Sequence, residues 1–499
     1  MCKYYKWNSL NTFREGCYTY DLNFFNSGLI LPLREYPYVG SITSFIYYPI
    51  FLLWKSPDSN RFLGMLFIGI QALILNKLYH IRTFYLICGL FLFFQYSFDH
   101  MIGSIMALIL TSVFLLYYLI QNWFTTLEIK YPFFISVVIF LSLWARLNFL
   151  WVMPGVLILF IFQFLAKRNF LLRLDNKSLF YTQVMLCAAL TVILCCAYLF
   201  STNPANPSDK LINILLDAAK TKTMTVKETL KSFNQGFLYE CLVNPLQATE
   251  RHFQVARRSE LFYIYDIFIY FFVPFSLVIL WAKEPGFRSK LLEPAISYLS
   301  FLLTLFFVFR TKGFALSMHH LILAFPFLIL STVSTIKCIL DPNLAVSVRS
   351  FLKRALSRWI LVFILFNLYF FFTFPNQPIR DRDDPSKIEI NKLLANPYLA
   401  KNYFYVCVDW GMYYYQALYG HKDQSVLYME PFYDVYSLKE LSKKHGRKVL
   451  FIYNRYHETD YNHQLIKSSF DVMRCKALRE ELVWQVLIEK DTNLENVCF

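Results

Sequence analysis

Long apolar stretches alternate with short polar ones from residue 41 to residue 374. Ten of these stretches have about the length that a helix needs to cross a bilayer, roughly 20 residues. They are 62–76, 83–98, 102–120, 132–145, 149–166, 178–200, 261–282, 292–309, 315–336 and 358–374. The pattern predicts an all-α polytopic membrane protein with about 10 transmembrane helices.

An earlier apolar stretch, residues 41–54, is too short to be assigned in the same way. We interpret it as a helix that lies at the membrane interface or inserts only in part. A short transmembrane helix is the alternative. The two interpretations place residues 1–40 on opposite sides of the membrane.

The polar connections suggest an orientation, because short cytoplasmic loops carry an excess of lysine and arginine. With loop 167–177 placed in the cytoplasm, most of the other short-loop cations fall on the same face: Lys77, Arg82, Lys130, Lys283, Arg288, Lys290, Lys337, Arg349, Lys353, Arg354 and Arg358. The outer face then receives the loops 1–61, 99–100, 146–148, 201–260 and 310–313, with the tail from 375. A preceding helix is expected ahead of an outer N-terminal loop, although short N-terminal tails can also cross unaided, and residues 1–16 lack the apolar core of a signal peptide. We therefore expect a further apolar segment upstream of Met1.

The last part of the chain has a different pattern. Residues 1–375 form the predicted transmembrane module, and a polar linker opens the second region, 376–499. Short β-like runs at 403–408, 425–429 and 448–453 are separated by helix-like segments. This alternation predicts a small extracytoplasmic α/β domain with a mainly parallel sheet.

Composition agrees with a membrane protein, since hydrophobic residues make up 57% of the chain. The net charge of +15 resembles that of a nucleic-acid-binding protein, but the cations recur at alternate ends of apolar stretches. We therefore expect a bilayer partner and no nucleic acid. The 11 cysteines include no CxxC pair and no His/Cys metal spacing, so no metal is expected. A disulfide among Cys407, Cys475 and Cys498 remains open, because the sequence cannot pair them.

The outer loop Tyr18–Gly40 contains the main candidate for chemistry, Asp21. A carboxylate can accept the proton that an acceptor hydroxyl loses as it attacks a sugar. The alternative is a loop aspartate that caps a local turn. Glu35 is the second acid of the loop, and its neighbour Arg34 is able to pair with either carboxylate.

Other charged residues fall on the same predicted outer face. Asp99 ends an apolar stretch and is a candidate for orienting the acceptor or the base. Cations and histidines that can contact a phosphate form a second group: Arg146, Arg310, Lys312, His319 and His320. The alternative for both groups is an ordinary interfacial cap at a helix end.

The order of these parts resembles the GT-C superfamily of membrane glycosyltransferases. The nearest branch contains the protein O-mannosyltransferases and the lipid A aminoarabinose transferase. The resemblance covers the layout of residues 18–330. It lies in the acid Asp21 in the first outer loop, the run from Tyr48-Pro49 to Arg61, the outer acid Asp99 and a soluble C-terminal domain. The family often has two adjacent acids in the first loop, whereas Leu22 follows Asp21 here.

The resemblance implies a polyprenyl-phosphate-linked sugar as donor, inversion at the sugar C1 and no nucleotide sugar. The acceptor is then a lipid, a glycan or a protein, and we expect the periplasmic face of a bacterial inner membrane. Two other functions remain open. One is a transporter or flippase of a lipid-linked precursor, and the other is a non-catalytic membrane subunit.

Overall fold

The structure is a computed structural model of the 499-residue chain. It describes residues 21–23, 30–32, 34–36, 39–40, 42–54, 58–93, 96–97, 100, 104–200, 202–203, 206–210, 212, 260–312, 322–373, 396–407, 425–428, 446–454, 470–472 and 484–489. Two compact units divide the chain near residue 376. The larger is Thr19–Asn376, and the smaller contains Gln377–Phe499.

Helices dominate the larger unit. Those described are α1 (Ile42–Leu53), α2 (Asp58–Tyr79), α3 (Thr83–Leu92), α4 (Ser104–Thr126), α5 (Lys130–Ala145), α6 (Met153–Leu171), α7 (Leu174–Leu199), α8 (Glu260–Lys283), α9 (Arg288–Lys312), α10 (Phe325–Leu340) and α11 (Val346–Thr373). Short 3₁₀ turns, Leu147–Trp151, Pro285–Phe287 and Ile322–Ala324, precede α6, α9 and α10.

Six helical segments within the described residues are long and apolar enough to cross a membrane. They are Arg61–Tyr79, Met106–Thr126, Met153–Leu171, Asn176–Leu199, Pro285–Val308 and Ile322–Leu340. The chain is therefore mostly α-helical, and these segments indicate a membrane protein.

Two of the other predicted spans meet the length criterion less well in the described residues. The helix α3, in the predicted span 83–98, has 10 residues, and the predicted span 132–145 is the 16-residue α5. The predicted spans 261–282 and 358–374 coincide with parts of α8 and α11, which have 24 and 28 residues. The stretch 41–54 contains the 12-residue helix α1. Its location at the membrane interface stays a prediction.

Helix α4 shares the centre of the bundle with α10, and 72% and 83% of their apolar segments, respectively, are buried. Helix α4 packs against α2, α5 and α6, and its aromatic side chains Phe114, Tyr117 and Trp123 are almost completely inaccessible. Helix α7 is at the other extreme, with only 11% of its apolar segment buried. Its apolar outer surface suits contact with lipid, which solvates an apolar side chain as well as a protein core does.

Two glycines allow the closest packing in the bundle. A β-carbon on Gly64 of α2 would lie 2.0 Å from the carbonyl oxygen of His100. A β-carbon on Gly155 of α6 would lie 2.6 Å from both the Phe327 ring and Thr304 Oγ1. Glycine therefore lets α2 touch the backbone before α4, and lets α6 contact both α9 and α10.

Small β-ribbons lie in the loops of this unit. β1 (Asp21–Asn23) pairs antiparallel with β2 (Ile30–Pro32), with Asp21 opposite Pro32. β3 (Arg34–Tyr36) pairs with β4 (Val39–Gly40), and β5 (Thr202–Asn203) pairs with β6 (Asn206–Lys210). The outer loop predicted from the sequence thus contains regular backbone pairing.

The smaller unit contains a short helix, α12 (Pro397–Asn402), and a five-stranded sheet. Its strands are β7 (Tyr403–Cys407), β8 (Ser425–Tyr428), β9 (Lys448–Asn454), β10 (Phe470–Val472) and β11 (Trp484–Glu489). Their order is β10-β11-β9-β7-β8. β7 pairs parallel with β8 and β9, whereas β11 pairs antiparallel with β9 and β10. The expectation of a mainly parallel sheet is corrected to a mixed one, because β11 lies between β9 and β10 and runs antiparallel to both. The predicted helix-like segments between the strands lie outside the described residues.

Candidate functional site

Arg146 lies where α5 ends and the 3₁₀ turn Leu147–Trp151 begins. Its extended backbone, φ −162° and ψ 131°, interrupts the helix and turns the chain back toward α6. The side chain is half-buried, and its Nη1 lies 3.2 Å from Met106 Sδ near the start of α4. A guanidinium in an apolar helix bundle is costly, which makes it a candidate functional group.

Several other helix ends meet near Arg146. The 3₁₀ turn after Arg146 lies against α9, and Gly155 near the start of α6 faces Thr304 of α9. Helix α9 ends at Lys312, eight residues beyond Thr304, so the backbone of Arg310 is at this end of the bundle as well. We call it the Arg146 end.

The strand that contains Asp21 lies near the same end. β1 lies beside β5, which begins just after α7. Tyr198 at the end of α7 belongs to a buried cluster with Trp144 and Leu147, which flank Arg146 in the sequence. β4 lies beside α5. The backbone of the first outer loop and the Arg146 turn are therefore neighbours in the fold.

The structure describes some predicted site residues more completely than others. Arg146 is the predicted site residue whose side chain it describes. For Asp21 in β1, Glu35 in β3, and Arg310 and Lys312 in α9, it describes the backbone only. Asp99, His319 and His320 lie outside the described residues. The roles predicted for these residues stay predictions.

A buried polar network lies beside this end of the bundle, around His100. Gln71 Nε2 lies 2.9 Å from His100 Nε2 and donates to Thr111 Oγ1 at 2.8 Å. Tyr96 OH donates to Gln71 Oε1 at 2.9 Å, and His100 Nδ1 lies 2.8 Å from the Tyr96 carbonyl oxygen. All four side chains are buried, and Gln71 and His100 are 0% exposed. The network fixes the segment before α4 onto α2.

The geometry of this network determines the histidine tautomer. A carbonyl oxygen can only accept, so His100 Nδ1 holds the proton and donates it to Tyr96. Nε2 then accepts from the Gln71 amide. Burial lowers the pKa of His100 from 6.5 to about 4, and the bond to Tyr96 opposes part of this effect. His100 is neutral at pH 7.

This pKa predicts how stability depends on pH. In the unfolded chain His100 binds a proton below about pH 6.5, but in the folded chain only below about pH 4. The free energy of unfolding should therefore fall as pH drops from 6.5 to 4, by up to roughly 3 kcal/mol. We expect His100→Gln to flatten the dependence of the thermal unfolding midpoint on pH in this window, as measured in detergent. The exposed His80 supplies the control, because His80→Gln should leave the wild-type slope unchanged.

A second polar cluster surrounds Glu293 on α9. Its Oε1 accepts from Tyr117 OH at 2.7 Å and from Tyr79 OH at 3.1 Å, with Gln121 Nε2 at 3.5 Å. Gln163 Nε2 donates to Tyr117 OH at 3.0 Å. One carboxylate thus links α2, α4 and α9, and Tyr117 extends the link to α6.

This cluster lies far from Arg146. Met106 and Gln121 are separated on α4 by about 22 Å, from a rise of 1.5 Å per residue. Lys337 Nζ, near the end of α10, lies 5.8 Å from the centre of the Tyr79 ring. Nearby, Lys290 pairs with Asp341 at 2.6 Å, and this bond lowers the pKa of the Asp341 carboxyl. We call this the Glu293 end, and it corresponds to the cytoplasmic face predicted from the sequence.

Sequence reasoning did not single out Glu293 or Gln71. A usable signal existed for Glu293, because it is an acid at the edge of the apolar span 292–309. Gln71 had no such signal, since a neutral amide at one position of an apolar helix does not indicate its partners.

The comparisons with known proteins add no assignment, since no protein-family model and no curated protein match the chain. Among the described residues, no group of three or more His, Cys, Asp or Glu side chains is placed to hold a metal ion. The candidate chemistry therefore rests on the Arg146 end and on the residues predicted to lie there.

Proposed function

We propose that this chain is an integral-membrane glycosyltransferase. It moves a sugar from a polyprenyl-phosphate carrier to an acceptor hydroxyl on the outer face, with inversion at C1. The resemblance to the GT-C superfamily supports the proposal, and so do the six apolar helices long enough to cross a membrane. The bacterial inner membrane, with the Arg146 end on the periplasmic side, is part of the same proposal.

The observation that carries the proposal is the half-buried Arg146 beside the loop backbone that contains Asp21. A phosphate donor needs a fixed cation within an apolar site, and a guanidinium offers two parallel N–H donors. The acceptor needs a base on the other side of the sugar. The neighbouring β-ribbon and the end of α9 bring a predicted base and two further predicted cations to the same end of the bundle.

The reaction needs one base and no general acid. The acceptor oxygen attacks C1, its proton passes to Asp21, and the bond between C1 and the phosphate oxygen breaks. The carrier phosphate leaves as an anion, and Arg146, Arg310 and Lys312 stabilise its developing charge. Glu35 and Asp99 orient the acceptor or the base, and His319 and His320 complete the phosphate contacts. The acceptor is a lipid, a glycan or a protein.

A direct test uses the full chain in liposomes with radiolabelled polyprenyl-phosphate sugars and a membrane extract as the source of acceptors. Transfer of label should be accompanied by release of one polyprenyl phosphate per sugar. A panel of hexosyl and pentosyl donors identifies the sugar. Absence of transfer from the entire panel, with folded protein in the liposomes, contradicts the proposal.

Arg146 should be required for the transfer step. We expect Arg146→Gln to lower kcat/KM about 100-fold or more, because one preorganised donor to a developing charge is lost. Arg146→Lys keeps the charge but lacks the two parallel N–H donors, so its decrease in kcat/KM should be smaller. Lys167→Gln removes an exposed cation near the end of α6 and should retain wild-type transfer. Equal kinetics for Arg146→Gln and Lys167→Gln would remove Arg146 from the site.

Transport of a lipid-linked precursor is the second candidate, and Glu293 is the observation that favours it. An acid near the end of a span, bonded to two phenol groups, is an arrangement that proton-coupled transporters use. Flipping of a fluorescent lipid-linked sugar across the liposome membrane, without release of polyprenyl phosphate, identifies this function. Glu293→Gln should then slow flipping, whereas under the transferase proposal Glu293 has no role in the transfer step.

A further inference from the structure

The first half of α11 is amphipathic. Leu352 and Leu356 are buried in an apolar cluster with Leu280 of α8, Leu291 of α9 and Ile339 of α10. Trp359 packs beside them, with its ring 4.3 Å from that of Phe272 and its Nε1 bonded to the Phe268 carbonyl at 3.3 Å. This packing fixes the helix against the bundle and determines which of its faces is free.

The first half of α11 contains four cations: Arg349, Lys353, Arg354 and Arg358. At about 100° per residue, Arg354 and Arg358 lie on the half of the helix opposite the two buried leucines, and Lys353 lies on its flank. Arg349 lies one turn before Leu352, at the start of the helix. Lys353, Arg354 and Arg358 are exposed and Arg349 is half-exposed. No aspartate or glutamate occurs between Val346 and Thr373, so these four residues form a cationic face with a formal charge of +4 at the start of the helix.

These cations differ from two others at the Glu293 end that have acidic partners. Lys130 pairs with Glu128 and Lys290 with Asp341. By contrast, Arg349 Nη1 donates to the Pro342 carbonyl and Arg354 Nε to the Ser350 carbonyl. Within the described part of the chain, none of the four forms an ion pair with a carboxylate. Their charge is therefore available to an external anion.

The four cations of α11 lie at a position along the bundle axis that matches a membrane surface. Leu352 packs with residues at the ends of α8 and α10, where the apolar spans finish. Lys353 and Arg354 follow Leu352 directly. Arg358 lies about 9 Å from Leu352 along the helix axis, at 1.5 Å per residue. An arginine side chain at that depth can extend along the helix to the surface. Beside them, the exposed Arg288 guanidinium lies 5.1 Å from the centre of the Trp281 ring, and Trp is frequent at the interface.

We propose that this cationic face of α11 binds the headgroups of anionic phospholipids in the adjoining leaflet. Clusters of four or more cations beside a membrane span attract such lipids, and guanidinium groups match the geometry of a phosphate. The rigid packing of Leu352 and Leu356 presents the four charges in a fixed array. This proposal is independent of the transfer reaction and needs only the membrane location.

The test measures binding of fluorescent phosphatidylglycerol and fluorescent phosphatidylcholine to the purified full chain in neutral detergent. Wild type should prefer phosphatidylglycerol. The variant R349Q/K353Q/R354Q/R358Q should lose about fivefold in affinity per cation, hence two to three orders of magnitude, while its affinity for phosphatidylcholine stays unchanged. The preference should also weaken as NaCl is raised.

A matched control removes the same charge elsewhere. K167Q/R168Q/R173Q/K177Q neutralises four exposed cations at the adjoining ends of α6 and α7 and should keep the preference. Equal loss in both variants would mean a general effect of net charge, and no loss in either would mean no lipid site, so each overturns the proposal. If soluble polyglutamate displaces the lipid at equal charge, the face binds protein and the proposal is wrong. If the quadruple variant does not fold, R349K/R354K/R358K and single Gln variants at each position replace it. The Lys variant should retain the preference for phosphatidylglycerol. Each single Gln variant should lose about fivefold in affinity for this lipid.

Discussion

Gly64→Ala is expected to leave little folded protein in the membrane. The new β-carbon would lie 2.0 Å from the His100 carbonyl oxygen and 2.7 Å from its carbonyl carbon, far inside van der Waals contact. Both neighbours are backbone atoms, and His100 is held in place by Gln71 and Tyr96. The clash therefore cannot be relieved by rotating a side chain. We expect a loss of about 3 kcal/mol or more, at the upper end of overpacking.

The same helix supplies the control for this prediction. Gly69 is also inside α2, but a β-carbon there would meet no atom within 4 Å. Gly69→Ala should leave stability unchanged or raise it by about 0.5–1 kcal/mol, since alanine favours helix. Yield of monodisperse protein and its thermal unfolding midpoint in detergent give the comparison. Wild-type stability of Gly64→Ala would show that α2 and the segment before α4 do not pack this closely.

Asp21→Asn is expected to abolish sugar transfer without loss of protein from the membrane. Asparagine has nearly the shape of aspartate but cannot accept the proton of the acceptor hydroxyl. Removal of a general base costs about 10²- to 10⁴-fold in rate. Initial rates at saturating donor, normalised to purified protein, give the measurement. This prediction follows from the proposed function and is the strictest test of its mechanism.

The control makes the same chemical change at the other end of the bundle. Asp341→Asn removes a carboxylate that pairs with Lys290, and it should leave transfer at the wild-type rate. Its cost in stability should be at most about 1 kcal/mol, as for most surface ion pairs. Transfer by Asp21→Asn at the rate of Asp341→Asn would show that Asp21 is not the base.

Apolar length located most of the helices in advance. The predicted stretches 149–166 and 178–200 lie within or close to α6 and α7, because about twenty apolar residues can satisfy their backbone inside a bilayer only as a helix. The three β-like runs were likewise found as β7, β8 and β9. Their aromatic and β-branched residues show the strand preference locally.

The sequence predicted Arg146 as a site residue from its charge beside an apolar span. It could not predict that Arg146 would approach Met106 and that the turn after it would lie against α9, because those contacts join segments far apart in the chain. The same limit explains Glu293. One carboxylate that joins helices α2, α4 and α9 is visible only after the helices have packed.

The sequence alone determined that this chain is mostly helical, that it contains membrane-length apolar segments and that its cations favour one set of loops. These properties depend on local composition and on the length of apolar segments, which can be read directly from the sequence. Tertiary structure decided that Gly64 must be glycine, that β11 makes the sheet mixed and that Lys353, Arg354 and Arg358 of α11 are exposed. Each of these depends on which distant segment occupies the neighbouring space, and packing sets this without a local signal.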